Sequence, residues 1–328
     1  MPGPIPESAM SEIRGMADTT ATPADDANEA RQPVPTQMSS DALHSLPKAE
    51  NRFLRRFRRH RLAVIGVAAL ALFALLAILA PVVTFYDSNG IDLTVMRQAP
   101  SAAHVLGTDP LGRDVWTRLV YGTRVSLAVG LVAVSIYVSI GVVLGGVAGY
   151  FGGRVDMLLS RFTDVMMCFP SFMLIVTVAV ILPPNIFNVM VIIGLFGWTG
   201  VMRYVRAQFL SLREQEFVLA ARCVGVSSGR IVFRHMLPNA INPVVVAATM
   251  GLAGAIMTES ALSFLGLGVQ EPMASWGSML QDAMSLPILQ TMPWLWLPSA
   301  IAIAITTLSV NFVGDALRDA LDPHMSLG

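Results

Sequence analysis

Residues 216–238 read EFVLAARCVGVSSGRIVFRHMLP and indicate the fold more strongly than any other part of the chain. The segment contains Arg222, Arg230 and Arg234, yet uncharged stretches long enough to cross a bilayer, which takes about 20 residues, lie on both sides of it. It is therefore predicted to be a loop outside the lipid that joins two membrane-spanning helices.

The same segment is predicted to fold as two short helices joined by a glycine turn. A glycine just after the last helical residue commonly ends a helix, so the first helix is predicted to reach Cys223, ahead of Gly225. Ser227 or Ser228 is placed to cap a second helix, predicted to end at Pro238 because proline cannot continue the helical hydrogen bonds. A compact contact surface is one interpretation of this unit, and a plain connector between spans is the other.

Composition restricts the class of protein. Of the 328 residues, 54% are hydrophobic and 13% are charged, which is typical of an integral membrane protein. Residues 1–50 are rich in Pro, Ala, Ser and Asp without a periodic apolar face, and are predicted to be a disordered tail. The only lysine of the sequence is Lys48 in that tail. The chain therefore lacks the lysine of a nucleotide-binding P-loop and is predicted not to hydrolyse ATP.

An all-α fold with six membrane spans is predicted from the uncharged stretches. The stretch at residues 165–202 has 38 residues, and one helix of that length would extend about 57 Å, nearly twice a bilayer core. Pro183, Pro184 and Asn185 form a turn signal near its middle, so the stretch is divided into two spans. The other four spans are predicted at residues 62–86, 125–153, 241–264 and 293–314.

The placement of arginine predicts the orientation. From residue 52 onward, fifteen arginines lie on one side of the six predicted spans and four on the other. Because positive charge favours the inside, both termini are predicted to be cytoplasmic. The predicted regions are a tail at 1–50, a first span with its external loop at 51–124, a five-helix core at 125–316 that contains the cytoplasmic segment 208–238, and a cytoplasmic tail at 317–328.

Small and aromatic residues predict details of the membrane domain. Glycines in the second span are predicted to let helices approach closely in lipid. They are Gly141, Gly145, Gly146 and Gly149. Tryptophans near the predicted outer surface are expected to lie in an interfacial aromatic belt. They are Trp276, Trp294 and Trp296.

The external residues before the second span, 104–127, read HVLGTDPLGRDVWTRLVYGTRVSL. They are predicted to form a structured loop that leads into an amphipathic stretch at the membrane surface. Four charged side chains are predicted to form a local ion-pair network there, and contact with a delivered substrate or its carrier is the alternative. These four are Asp109, Arg113, Asp114 and Arg118.

Several strings resemble the ABC importer permeases of the dipeptide, oligopeptide and nickel subfamily, specifically the second of its two permease subunits. The 104–127 stretch resembles the sequence before the second span, and residues 216–238 resemble the cytoplasmic coupling motif. Further matches are GGRVD at 152–156, LSLREQE at 210–216, FLGLG at 264–268, SWG at 275–277, PW at 293–294 and LRDALDP at 317–323. The resemblance implies a type I ABC importer permease fold with six transmembrane helices in the bacterial inner membrane.

The resemblance also implies that residues 208–238 form coupling helices that dock into a groove on an ATPase. Leu219 stands where the motif usually has Glu, and His235 where it usually has Ile, so one polar contact is in doubt. Glu216 and Arg222 lie close enough in sequence to replace it. The predicted coupling residues are Glu216, Ala220, Ala221, Arg222, Gly225, Leu237 and Pro238.

Polar residues inside the predicted spans are candidates for the translocation pathway. Glu259 is a carboxylate in an otherwise apolar span, where a charge is costly. It either lines the pathway or lies near the outer end of its helix, paired or reaching water. Thr307 and Asn311 either line the same route or hold helices together by hydrogen bonds. The five histidines are scattered without metal-ligand spacing, so neither a metal site nor a cofactor is predicted on this chain.

The resemblance also implies a transport function. It implies a permease subunit that translocates a small solute, most commonly di- or oligopeptides, by alternating access. The implied partners are a homologous second permease, two ATPase subunits that bind ATP and Mg, an extracytoplasmic solute-binding protein and membrane lipid, with no nucleic acid. The alternatives are the same class carrying nickel or glutathione, or an ion-gradient-driven secondary transporter, which usually shows internal repeats. The chain is not expected to be an enzyme, since the sequence has no H-E-x-x-H motif and no paired intramembrane Asp.

Overall fold

The computed structural model describes Phe57 and residues 60–321, and most of these residues are helical. The predicted tail at 1–50, most of the arginines before the first span and residues 322–328 lie outside the described part. The main helices are α1 (Arg61–Ile78), α2 (Val115–Phe151), α3 (Gly153–Met167), α4 (Ser171–Ile181), α5 (Ile186–Leu212), α6 (Glu216–Cys223), α7 (Ser228–Phe264), α8 (Trp276–Leu280), α9 (Leu286–Thr291) and α10 (Pro293–Leu321).

Among the described residues, five helices are long and apolar enough to cross a membrane, and α3 with α4 makes a sixth if this bent pair is counted as one span. The five are α1, α2, α5, α7 and α10. The prediction of a regular third span beginning at Val165 was wrong, because α3 ends at Met167 and meets α4 at 78°. Pro170 lies at this bend, where it has no N–H to continue the ladder. The 11 residues of α4 rise only about 16 Å, roughly half a bilayer core.

Helix α2 begins earlier than predicted and joins the external stretch to the second span. Its 37 residues correspond to about 55 Å, so part of it extends beyond the bilayer core. The helix starts at Val115 because the Asp114 side chain accepts a hydrogen bond from the backbone N–H of Thr117 and caps the first turn. The predicted amphipathic stretch is therefore the first part of a single long helix.

Helices α2 and α5 form the most extensive contact of the core, and glycines of α2 allow it. Gly141, Gly145 and Gly149 are four residues apart and face α5. A Cβ on Gly145 would lie 2.6 Å from the carbonyl oxygen of Met202, which is closer than real Cβ atoms approach. The predicted close packing is confirmed. Small residues at this spacing let two backbones come together and gain dispersion contacts in lipid.

Candidate functional site

The segment between α5 and α7 has the predicted glycine turn. Helix α6 ends at Cys223, and Gly225 has φ +76°, the left-handed region that favours glycine. The N–H of Gly225 donates to the carbonyl of Arg222, and the N–H of Val226 donates to the carbonyl of Ala221, both at 3.0 Å. These are helix-closing hydrogen bonds that satisfy carbonyls at the end of α6. The first helix and its end are confirmed.

The second helix of this segment does not end at Pro238, so that prediction was wrong. Ser227 occupies its N-cap position, without a side-chain hydrogen bond. Residues Ile231–Met236 form a π-helical turn, and the helix then continues as Leu237–Phe264. Proline lacks an N–H, and its ring crowds the carbonyl four residues back. A π turn changes the pairing of backbone hydrogen bonds just before Pro238. The turn thereby lets the helix pass Pro238 and run into the membrane domain.

Helix α6 is held on one side and open on the other. Val218 is fully buried, while Glu216, Ala220 and Arg222 are exposed and Ala221 is half-buried. The Arg222 guanidinium lies 5.0 Å from the centre of the Tyr150 ring, near the end of α2. This cation–π contact links α6 to α2. The predicted coupling residues of α6 therefore lie on an element with a free surface.

The motif departure at Leu219 also lies on that surface. Leu219 is 47% exposed and Phe217 is 42% exposed. The surface of α6 is therefore more apolar than a Glu at position 219 would make it. Leu237 and Pro238 belong to α7 and lie half-buried and exposed, respectively.

Charged residues form a second group on the stretch before α2, which was predicted to be external, and we call this group the external cluster. Arg113 pairs with Asp109 at 2.6 Å and also with Glu271, and Arg118 pairs with Glu271 at 3.0 Å. Both arginines are almost completely buried, whereas Glu271 is largely exposed. Asp114 differs from the predicted network, since its described partners are the cap of α2 and the Nδ1 of His104 at 3.0 Å.

Two carboxyl groups have shifted pKa values, Glu271 in the external cluster and Asp282, which interacts with the charges of that cluster. Partial burial opposes ionisation of Glu271, but hydrogen bonds and positive charge from Arg113 and Arg118 outweigh it and lower its pKa. Burial, with the negative charge of Asp109, raises the pKa of Asp282 to about 6 against the attraction of Arg118. Asp282 therefore changes charge at a higher pH than an ordinary aspartate does.

Glu259 lies in a serine cluster within the chain. Its side chain is fully buried, and Ser263 donates to Oε1 at 2.7 Å while Ser126 donates to Oε2 at 3.3 Å. The two serine hydroxyls also accept the backbone N–H groups of Trp276 and Val269, both at 3.1 Å. Glu259 does not reach water in the structure. It ties α2 and α7 to the segment that leads into α8.

The remaining predicted pathway residues lie on α10. Thr307 and Asn311 are half-buried, and the Thr307 hydroxyl is buried without a hydrogen-bond partner among the described residues. Trp276 does not belong to an interfacial belt, because it is completely buried with its ring 5.4 Å from that of Phe73. A tryptophan on a short external helix can pack inward as well as lie at the interface.

Sequence comparison now gives the family. Residues 141–327 match the family model described as "binding-protein-dependent transport system inner membrane component", and residues 51–100 match the "N-terminal TM domain of oligopeptide transport permease C". The first match covers more than half of the chain. The chain belongs to this family.

Individual relatives agree with this assignment. The permease is 46% identical to the dipeptide transport system permease protein DppC of Alkalihalophilus pseudofirmus, over 70% of this chain and 74% of that one. It is 40% identical to the oligopeptide transport system permease protein OppC of Bacillus subtilis, over 75% and 80% of the two chains. A chain of the inward-facing MetNI methionine ABC transporter superposes with a TM-score of 0.51 at 19% identity, covering 62% of this chain and 97% of that one. The predicted type I ABC importer permease fold is confirmed, and the permease is an inner membrane component.

Glu271 is the functional candidate that sequence reasoning missed. The permease has four arginines in its predicted external loops, and two of them converge on this one carboxylate. The signal available in the sequence was a single acid between the FLGLG and SWG strings, far along the chain from Arg113. Only the fold brings the two segments together.

Proposed function

We propose that this permease imports di- or oligopeptides as one subunit of a binding-protein-dependent ABC importer. The observation that supports this most is the identity of 40% and 46% to permeases named for oligopeptide and dipeptide transport. The proposed partners are a homologous second permease, two ATPase subunits and an extracytoplasmic binding protein. ATP and Mg are bound by the ATPases, because this chain lacks a P-loop lysine outside its N-terminal tail.

The geometry supports a route for coupling. The exposed surface of α6, with Ala220 and Arg222, docks on an ATPase in this proposal, and the half-buried Ala221 lies at its edge. Motion of that surface reaches the membrane domain by two connections, the Gly225 turn into α7 and the contact of Arg222 with Tyr150 on α2. Both α2 and α7 are long continuous helices, so displacement at one end moves the other end as a body. Alternating access follows if ATP-driven closure of the ATPases shifts these helices.

The docking surface is tested by a matched pair of Ala→Asp variants. Ala221→Asp places a charge on the half-buried face of α6, where its desolvation on docking is unfavourable. Ala102→Asp places the same charge on an exposed position of the external loop and serves as the control. We expect Ala221→Asp to release the ATPases on purification and abolish uptake, with membrane insertion unchanged. Retained ATPases and normal uptake in Ala221→Asp would show that α6 is a connector.

The solute is tested separately in proteoliposomes that contain the assembled transporter and its binding protein. Uptake of radiolabelled dialanine and trialanine should require ATP and should be inhibited by other short peptides. Nickel and glutathione are measured in parallel as competitors and as transported solutes. Uptake of either one without uptake of peptides would overturn the peptide proposal and leave the family assignment intact.

A further inference from the structure

Two neighbouring cavities lie between the α3–α4 bend and helix α5, and we call them together the groove. Its wider part is a cavity of about 360 Å³ lined by Ser160, Arg161 and Asp164 of α3 and by Arg203 and Arg206 of α5. A smaller cavity of about 130 Å³ lies beside the bend and is lined mostly by apolar side chains. They include Met167, Phe169, Leu174 and Phe196, together with Thr199.

The arginines of this groove carry more charge than the nearby carboxylates neutralise. Arg206 pairs with Asp156, with one contact at 2.7 Å. Within residues 60–321, Arg161 and Arg203 have no ion-pair partner, and the Nη1 of Arg203 lies 3.3 Å from the Met167 sulfur, a weak acceptor. Three arginines therefore face two acids, Asp156 and Asp164. These residues therefore carry one positive charge in excess.

The groove changes from charged to apolar along one face of α5. Phe196, Thr199, Arg203 and Arg206 are spaced by three, four and three residues, so they share that face. A bilayer core takes about 20 residues of helix, and 20 residues from Ile186 end at Val205. Arg203 and Arg206 consequently lie at the level of lipid headgroups, with Phe196 in the acyl region.

Helix α3 supplies the other wall and has the character of an interfacial helix. Val155, Leu158, Phe162 and Val165 recur every three or four residues and are 41% to 72% exposed, although all are apolar. Ser160, Arg161 and Asp164 are also exposed or half-buried, on the side of the helix that lines the groove. A helix with one apolar and one charged face is suited to the boundary between lipid and water.

We propose that this groove binds the headgroup of an anionic phospholipid. The phosphate is held by Arg161 and Arg203, which form charge-assisted hydrogen bonds with its oxygens. Ser160 and Thr163 also line the cavity. One acyl chain continues into the apolar cavity beside Leu174 and Phe196. Basic pockets between membrane helices are suited to such lipids because charge and apolar surface meet at the right depth.

The experiment measures which lipids stay bound to the full-length chain. The chain and the subunits that copurify with it are held in nanodiscs of phosphatidylglycerol and phosphatidylcholine, and lipid retention is compared between variants after release from the nanodiscs. Native mass spectrometry counts the lipids that remain bound. We expect one phosphatidylglycerol per chain to remain in excess over phosphatidylcholine. Arg161→Gln/Arg203→Gln should weaken this retention about thirty-fold, since each basic side chain near an anionic lipid contributes roughly fivefold. Arg161→Lys/Arg203→Lys keeps the charge and should retain most of the binding.

The matched control is Arg154→Gln/Arg318→Gln, which removes two exposed arginines that do not line the groove. It should leave phosphatidylglycerol retention unchanged. Equal loss in the control would show a general surface-charge effect and overturn the site, as would unchanged retention in Arg161→Gln/Arg203→Gln. Displacement of the lipid by 10 mM inorganic phosphate would assign the groove to a free anion instead. None of these readouts depends on the transported solute or on coupling to ATP.

Discussion

At the residue scale, Gly225 is the position where backbone conformation and proposed function meet most directly. Its φ of +76° costs a residue with a Cβ roughly 1 kcal/mol or more, and a β-branched side chain resists it most. A Cβ at this position would meet nothing within 4 Å, so the cost comes from the backbone alone. Gly225→Val should therefore re-aim α6 relative to α7 and lose ATP-driven uptake. Uptake and the amount of protein in the membrane are measured together.

Gly229 provides the control for this prediction. It lies in the first turn of α7, also has open space around its Cβ position, and has no positive φ. Gly229→Val should accumulate in the membrane and transport close to the wild-type rate. Similar loss of uptake in both variants would mean that bulk on this surface, rather than the turn at Gly225, is responsible.

Asp282 makes the external cluster sensitive to pH. The pKa of Asp282 in the folded state is about 6, above the ordinary 3.8, so between these values the folded state holds a proton that the unfolded state releases. The free energy of unfolding therefore falls as pH rises from about 4 to about 6. Asp282→Asn removes this loss, which is at most about 3 kcal/mol and less where water reaches the carboxyl. The variant should gain in melting temperature over wild type between pH 4.5 and 7. A constant difference across that range would contradict the assignment.

The pKa of Glu271 is shifted in the opposite direction, so Glu271 changes stability with pH in the opposite way to Asp282. Its lowered pKa contributes stability that is present above about 4.5 and lost only as pH falls further. Glu271→Gln leaves Arg113 and Arg118 with Asp109 as their remaining ion-pair partner in the described part of the chain. Comparison of the two variants over the same range therefore separates the two carboxyls.

At the element scale, the packing of α2 on α5 depends on the absence of side chains. Gly145→Leu would force the helices apart, since even a Cβ would lie 2.6 Å from a backbone carbonyl, and overpacking of this kind costs about 1–3 kcal/mol. Gly200→Leu is the control on α5, where a Cβ meets nothing within 4 Å. The melting temperature in detergent should fall by several degrees in the first variant and change little in the second. Equal effects would indicate a general cost of leucine for glycine.

The elements also show what sequence could predict. The end of α6 was predictable because the turn at Gly225 is a local backbone requirement. The bend at Pro170 was missed because the spans were divided by charge, and an uncharged stretch can still be broken by proline. The continuation of α7 through Pro238 depends on a π turn that no composition rule indicates. The spans and the local turn were predictable, whereas the bend and the continuation of the long helices through proline were not.

At the scale of the whole molecule, long helices connect the two groups of charged residues. Helix α2 begins beside the external cluster, and its last turns carry Tyr150, which contacts Arg222 of α6. Helix α7 begins after the Gly225 turn and carries Glu259 in the serine cluster near its other end. The sequence predicted these groups separately but not their connection. Glu271 joins the external cluster, and Ser126 joins the serine cluster, through contacts between residues far apart in the chain.

This arrangement requires α6 and the Glu271 segment to lie on opposite sides of the membrane. Cys223, in the last turn of α6, and Cys168 are both exposed, so a Cys168→Ser background leaves one native thiol. In inner membrane vesicles of defined orientation, an impermeant maleimide should label Cys223 only from the cytoplasmic face. In a Cys168→Ser/Cys223→Ser background, Met273→Cys should be labelled only from the external face, since Met273 lies exposed beside Glu271. Labelling of both from one face would contradict the arrangement. Labelling of Cys223 from the external face would put the exposed surface of α6 out of reach of a cytoplasmic ATPase.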